Sequence, residues 1–156
     1  MIIFIGVTTF VIGQILVKLV IDPVQDMKKC IAEIAHSLIE LAQFYANPGV
    51  ASLDVETSAS RQLRNLSCQL VSRLYLVPFR TLTMFLFNLP NNDDIYNASK
   101  QLIALSNGFQ KTELLNMATI NLVRAQKIKD CLGIYQPENE RISAVRMREL
   151  GVPDAI

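Results

Sequence analysis

The sequence predicts an all-α protein, an N-terminal transmembrane helix followed by an antiparallel helical bundle. Three observations carry this. Residues 2–21, IIFIGVTTFVIGQILVKLVI, form one apolar run. Beyond it, apolar residues recur at gaps of three and four, the signature of helices with one buried face. Strand alternation with β-branched enrichment is nearly absent after the run. Three parts follow: an anchor at 1–21, a helical bundle at 22–135 and a C-terminal segment at 136–156.

Twenty residues at helical rise span about 30 Å, the thickness of a bilayer's hydrocarbon core. The strongly polar side chains within are Gln14 and Lys18. Lys18 sits within a turn of the end, where its ammonium reaches the headgroups. Gln14 lies deeper. Gln14, Lys18 and Asp22 step by four and share a helix face. That face either pairs with another copy or simply carries a snorkelling lysine beside a weakly partnered amide. Gly6, Thr9 and Gly13 make a second stripe of small residues, without GxxxG spacing. A cleaved signal peptide has a basic start, a shorter apolar run and a small-x-small site. Here nothing basic precedes the run and IDPVQ follows it, which favours an uncleaved anchor over a leader or a swallowed core helix. Lys18, Lys28 and Lys29 flank the far end, so the positive-inside rule puts everything after Asp22 on the cytoplasmic side.

Asp22-Pro23-Val24-Gln25 reads as a helix start, with Asp22 capping, Pro23 at the first position and Gln25 closing a capping box. The helix is expected to run to Ala46. Its seam is Val24, Met27, Ile31, Ile34, Leu38, Leu41 and Tyr45, a heptad pattern over three repeats. Asp26, Lys28, Lys29, Glu33, His36 and Glu40 face outward. The seam suits pairing between copies and packing inside one chain equally. Asn47-Pro48-Gly49 ends the helix. Residues 47–59 read as a loop, and a third helix from Thr57 or Ser58 to Val77 has Leu63, Leu66, Leu70, Leu74 and Val77 inward. Arg61, Arg64 and Arg73 fall off that line and read as solvated.

Pro78 interrupts the pattern before FRTLTMFLFNLP, the most apolar stretch outside the anchor. The leading expectation is a core helix with Phe79, Leu82, Phe85, Leu86 and Leu89 inward. A membrane-interface helix is the second reading; a second span, short and holding Pro78 and Arg80, is the last. Asn92 or Asp93 caps a further helix with Ile95, Ala98, Leu102 and Leu105 inward, closed by Ser106-Asn107-Gly108 in the left-handed region. The next helix is expected from Lys111 to Leu132, with a seam of Leu115, Ala118, Leu122 and Ala125 beside Leu114 and Ile128. Arg124, Lys127 and Lys129 complement its dipole. PENERISAVRMREL has the composition of a short basic amphipathic helix.

Composition excludes several functions. About 135 residues after the anchor suffice for one domain with a core in this 156-residue chain. A net charge of +1 without basic runs argues against nucleic acid as a partner. Cys30, Cys68 and Cys131 are odd in number and lack CxxC spacing, which argues against a disulfide framework or zinc site. No nucleotide-binding, hydrolase or metalloprotease motif occurs, so no catalytic residue, metal or cofactor is expected. His36, the single histidine, falls on the outer face; its ExxH pairing with Glu33 occurs once, where a di-iron bundle needs two inward-facing copies.

The stretches FVIGQILVKLVIDPVQDMKKCIAEIAHSL, FYANPG, LPNNDDIYNASKQLIALSNG and RAQKIKDCLGI together resemble a family of short bacterial membrane-anchored proteins with no assigned function. The resemblance runs to Ile134. It implies a bacterial inner membrane, a periplasmic N-terminus and a helical cytoplasmic domain, and it supplies no catalytic residues. The expected function is a non-enzymatic, membrane-anchored interaction protein whose partners are the bilayer and a second copy or another protein. The alternative is a membrane-perturbing oligomer; a lipid-modifying enzyme ranks last.

Overall fold

The structure is a computed structural model that describes residues 1–109 and 117–143. Among these residues there are helices and turns and no strand. α1 (Ile2–Leu16) passes through a π-turn (Val17–Ile21) directly into α2 (Asp22–Glu40). Then follow α3 (Ala42–Ala46), α4 (Leu53–Leu76), α5 (Arg80–Phe87), α6 (Asn92–Ser106) and α7 (Met117–Leu132), with a 3₁₀ turn at Glu138–Glu140.

The N-terminal apolar helix does not stop at Asp22. Asp22 has helical dihedrals and makes no cap bond; Ile3–Glu40 is one 38-residue helix. Proline inside a helix lacks a donor, and its ring strikes the carbonyl four residues back. The chain absorbs Pro23 by widening the preceding turn: the Asp22 N–H donates to the Val17 carbonyl, five residues back. Asp22 instead accepts from Lys18 Nζ at 3.1 Å.

The bundle is α2, α4, α6 and α7, each antiparallel to the next. Arg73 donates to the Asp26 carbonyl at 3.0 Å and Gln62 to Ser37 Oγ at 3.0 Å, which runs α4 back along α2. Ser60 Oγ donates to the Ser106 carbonyl (2.9 Å) and Ser67 Oγ to that of Ser99 (3.0 Å), which runs α6 back along α4. These four serines come in pairs seven apart, and their small buried side chains let the two backbones close up. Arg124 donates to the Ala104 carbonyl at 2.9 Å and sets α7 against α6.

The α2 seam is spent inside this bundle. Val24, Met27, Ile34, Leu38, Leu41 and Tyr45 are buried, and Ile31 is half-buried against the same core. Leu63, Leu66, Leu70, Leu74 and Val77 of α4 meet them, with Ile95, Ala98, Leu102 and Leu105 of α6. Asp26, Lys28, Lys29, Glu33, His36 and Glu40 are exposed, on the expected outer face.

Several boundaries differ from expectation. α2 ends at Glu40, because Leu41 leaves helical dihedrals, and α3 resumes to Ala46. α4 starts at Leu53, so Asp54 and Glu56 occupy its first turn rather than a loop. Acidic residues there favour the helix dipole, and the buried Glu56 carboxylate accepts from the Gly49 N–H at 2.8 Å. Arg73 is not free in solvent; it bridges α4 to α2. Asn107 closes α6 in the right-handed region, and Gly108 is not left-handed. Glycine is required there by crowding: a Cβ at 108 would lie 2.0 Å from Asn121 Oδ1. In α7, Ala125 and Ile128 are buried as expected, but Leu122 is exposed and the neighbouring Asn121 is buried, so the inner face is rotated toward Met117, Asn121 and Leu132. Asn121 earns its place by donating to the carbonyls of Tyr45 (3.3 Å) and Gly108 (3.2 Å). Arg124 turns sideways to α6 rather than toward the helix end. Residues 110–116, with Leu114 and Leu115, lie outside the described residues, as do 144–156. At 141–143 the C-terminal segment is extended and docked on α7: Ile142 N–H donates to Gln126 Oε1 at 2.7 Å, and Arg141 pairs with Asp130.

Gly108→Ala is expected to destabilise the bundle by about 1–3 kcal/mol through overpacking, read as a lower urea midpoint in detergent. Combined with Asn121→Ala, the loss should be smaller than the sum of the single losses, since the two changes meet at one contact.

Candidate functional site

Two surfaces depart from the pattern of a self-contained bundle. The first is α1. Its large apolar side chains are exposed, from Ile3 and Phe4 through Phe10 to Leu16, and no part of its apolar window is covered by the rest of the chain. The continuous helix that α1 begins, Ile3–Glu40, is long and apolar enough to cross a bilayer. Thr8 and Thr9 turn their hydroxyls onto the carbonyls of Phe4 and Ile5, both at 2.9 Å, so neither offers a free donor to its surroundings. Gly6 and Gly13 have open space where a Cβ would stand. Gln14 and Lys18 do share a face: with Phe10, Val11, Ile15 and Leu19 they line one shallow groove of about 350 Å³. The ion pair to Asp22 partly neutralises Lys18 at the anchor's polar edge.

The second surface is the far side of the Pro78 break. Val77 is extended and Phe79 sits in the left-handed region (φ 44°, ψ 46°), a costly conformation for a bulky residue. Together they swing α5 by 110° from α4. The swing takes α5 out of the side-by-side packing of the bundle, so four of the five residues expected inward face outward and Leu89 alone stays against the core. Phe79, Leu82, Phe85 and Leu86 are 78%, 59%, 85% and 64% exposed. The inward residues are Thr83, buried, with Met84 and Leu89 half-buried against the core. Thr83 Oγ1 donates to the Pro78 carbonyl at 2.7 Å, which satisfies the one hydroxyl of that inner face. Asn88 ends the helix in the left-handed region, a role asparagine fills readily. No periodicity could reveal this exposure: a helix apolar on both sides reads the same whichever side is covered.

The remaining groups of chemical interest are dispersed. An open groove of about 570 Å³ between α2 and α4 is lined by Lys29, Glu33, His36, Ser37, Gln62 and Leu66 among others. His36 is exposed there, and Ser37 and Glu40 are engaged by Gln62. Among the described residues no three His, Cys, Asp or Glu side chains converge as a metal site would need. Cys30 is buried, Cys131 half-buried and Cys68 exposed. Burial pushes the Cys30 thiol up, and the Arg73 charge offsets part of this. Burial likewise raises Cys131 and lowers Arg124. Both thiol shifts run opposite to the lowering that marks a reactive thiol.

Compared with known proteins, the chain matches no family model, no curated protein and no solved structure. The reading of its function therefore rests on these two surfaces.

Tyr45 closes the seam by donating to the Leu38 carbonyl at 2.9 Å, and burial raises its phenol above the ordinary value. Its contribution, like that of Cys30, is complete below the unfolded pKa and is lost as pH climbs through the raised folded value. Stability in detergent should therefore hold to about pH 8, begin to fall near pH 9 as the unfolded-state thiol ionises, and fall further above about pH 10 as the unfolded-state phenol does. Tyr45→Phe should cost about 0.5–1.5 kcal/mol at pH 7 and flatten that alkaline loss, as measured by urea unfolding across pH.

Proposed function

We propose that the chain is a membrane-tethered helical interaction protein without catalytic activity. α1 spans a bacterial inner membrane with its N-terminus periplasmic, and the bundle stands on the cytoplasmic side. The observation that carries this is the contrast between helices. Each bundle helix hides its apolar stripe, while α1 hides nothing. Burying a large apolar side chain is favourable by about 1.5–3 kcal/mol, so a helix exposing nine of them between Ile3 and Leu16 is built for lipid rather than water. The basic residues Lys18, Lys28 and Lys29 at its inner end support the orientation.

Pairing between copies, in this reading, runs through the anchor. The α2 seam is occupied within the chain and leaves no face for a second copy. Gln14 is the polar group that gains from a partner in hydrocarbon, and Gly6 and Gly13 permit close approach nearby. Tethering also confines copies to a surface, which raises their effective concentration.

Full-length protein should sediment with membranes and resist alkaline carbonate, and a chain lacking residues 1–21 should lose that resistance to carbonate. Full-length protein found soluble without detergent would overturn the reading. Cross-linking in membranes should trap a dimer. Gln14→Leu should weaken it by about 0.6–2 kcal/mol, the range for a buried polar contact between membrane helices. An exclusively monomeric parent would rule out pairing and leave the tether.

A further inference from the structure

Six large apolar side chains stand exposed within twelve residues of one another: Tyr75, Leu76, Phe79, Leu82, Phe85 and Leu86. Their position is set by the register of the bundle. Arg73 of α4 lies beside Asp26 of α2, and the two helices run in opposite directions. Continuing from Arg73 to Val77 moves about 6 Å toward the anchor, to the level of Asp22. That is the level of the Lys18–Asp22 pair, the polar edge of α1. At this level the chain turns by 110°, so α5 runs across the axis of α1 and α2 rather than along it. If the anchor stands in a bilayer, α5 lies nearly flat at its surface.

We propose that α5 is a second, monotopic membrane contact, seated in the headgroup layer from which the anchor emerges. Phe79, Leu82, Phe85 and Leu86 enter the upper acyl region, while Thr83, Met84 and Leu89 hold the helix to the bundle. This inference rests on the reading of α1 as a membrane anchor. Three further features fit a lipid surface. The Arg80 guanidinium lies over the Tyr75 ring, 5.2 Å from its centroid, a cation–aromatic pair of the kind that suits the boundary between headgroups and tails. The Tyr75 and Tyr96 hydroxyls bond one another at 2.9 Å, which lowers the desolvation cost of bringing that edge to lipid. The backbone end of α5 is closed by Leu89 N–H donating to the Met84 carbonyl at 3.0 Å. The occupant suggested by this geometry is lipid, because the face lies level with the anchor's own exit point.

The chain contains no tryptophan, so single-tryptophan variants report local surroundings. Full-length Phe85→Trp and Leu82→Trp, both at exposed positions, would be reconstituted in phosphatidylcholine vesicles carrying bromines either near the headgroup or near the tail ends. Phe10→Trp reports on the anchor and Val50→Trp, at the opposite end of the bundle, on bulk water. Emission from positions 82 and 85 should shift to the blue and drop about two-fold with the headgroup-proximal bromines, as for a helix lying about 5–10 Å into the interface. Val50→Trp should be unaffected. If Phe10→Trp is quenched by the deep bromines while positions 82 and 85 are not quenched by either set, the anchor stands and the α5 contact is wrong. Positions 82 and 85 shielded from aqueous iodide without lipid quenching, and cross-linked between copies, would assign the face to a second copy and overturn the proposal. No quenching at Phe10→Trp would refute the anchor and this inference with it.

Discussion

Proline at position 23 sets the constraint on which the architecture depends. A proline two residues past the apolar run ought to separate anchor from domain. Here the turn before it opens by one residue, the Asp22 N–H reaches back to Val17, and the helix continues. The result is a single rod about 57 Å long, half of it apolar all round and half amphipathic. α4 is registered directly against the lower half of that rod, α6 against α4 and α7 against α6. Without the π-turn the bundle would hang from a loop, and neither the level nor the tilt of α5 would be fixed relative to α1.

The joints that transmit this register are polar, and each links a side chain on one helix to the backbone of the next. Ser60 and Ser67 on α4 face Ser106 and Ser99 on α6; Arg73 reaches the Asp26 carbonyl; Arg124 reaches that of Ala104; Asn121 ties α7 to both Tyr45 and Gly108. Leucines fill the space between but tolerate sliding, since dispersion has little directionality. A hydrogen bond to a particular carbonyl admits one register. The buried polar groups therefore specify the pairing, and the apolar ones stabilise it.

Much of this was legible in the sequence, because period and punctuation are local. The apolar N-terminal helix, the α2, α4 and α6 seams and the break at Pro78 all follow from spacing over a few residues. What was not legible required knowing what covers a face. The α2 heptad looks the same whether its cover is a second copy or α4. Phe79, Leu82, Phe85 and Leu86 look like core until the left-handed Phe79 turns them away from it. Asp22 looks like a cap because the π-turn that makes a cap unnecessary has no sequence signature. Gly108 looks like a helix stop, yet its reason lies thirteen residues on, in the Asn121 side chain. The serine pairs seven apart share the period of the leucines, but a small polar side chain on a helix reads as solvated until the carbonyl it bonds on the neighbouring helix is known.

A rod without a joint transmits torque as well as position. Two copies that meet along α1 would have their bundles aimed by the same rotation, so the azimuth chosen among the lipids decides which outer faces of the two domains confront each other. A quarter turn of the anchor would carry the groove beside His36 and the opposite side of α6 through the same angle.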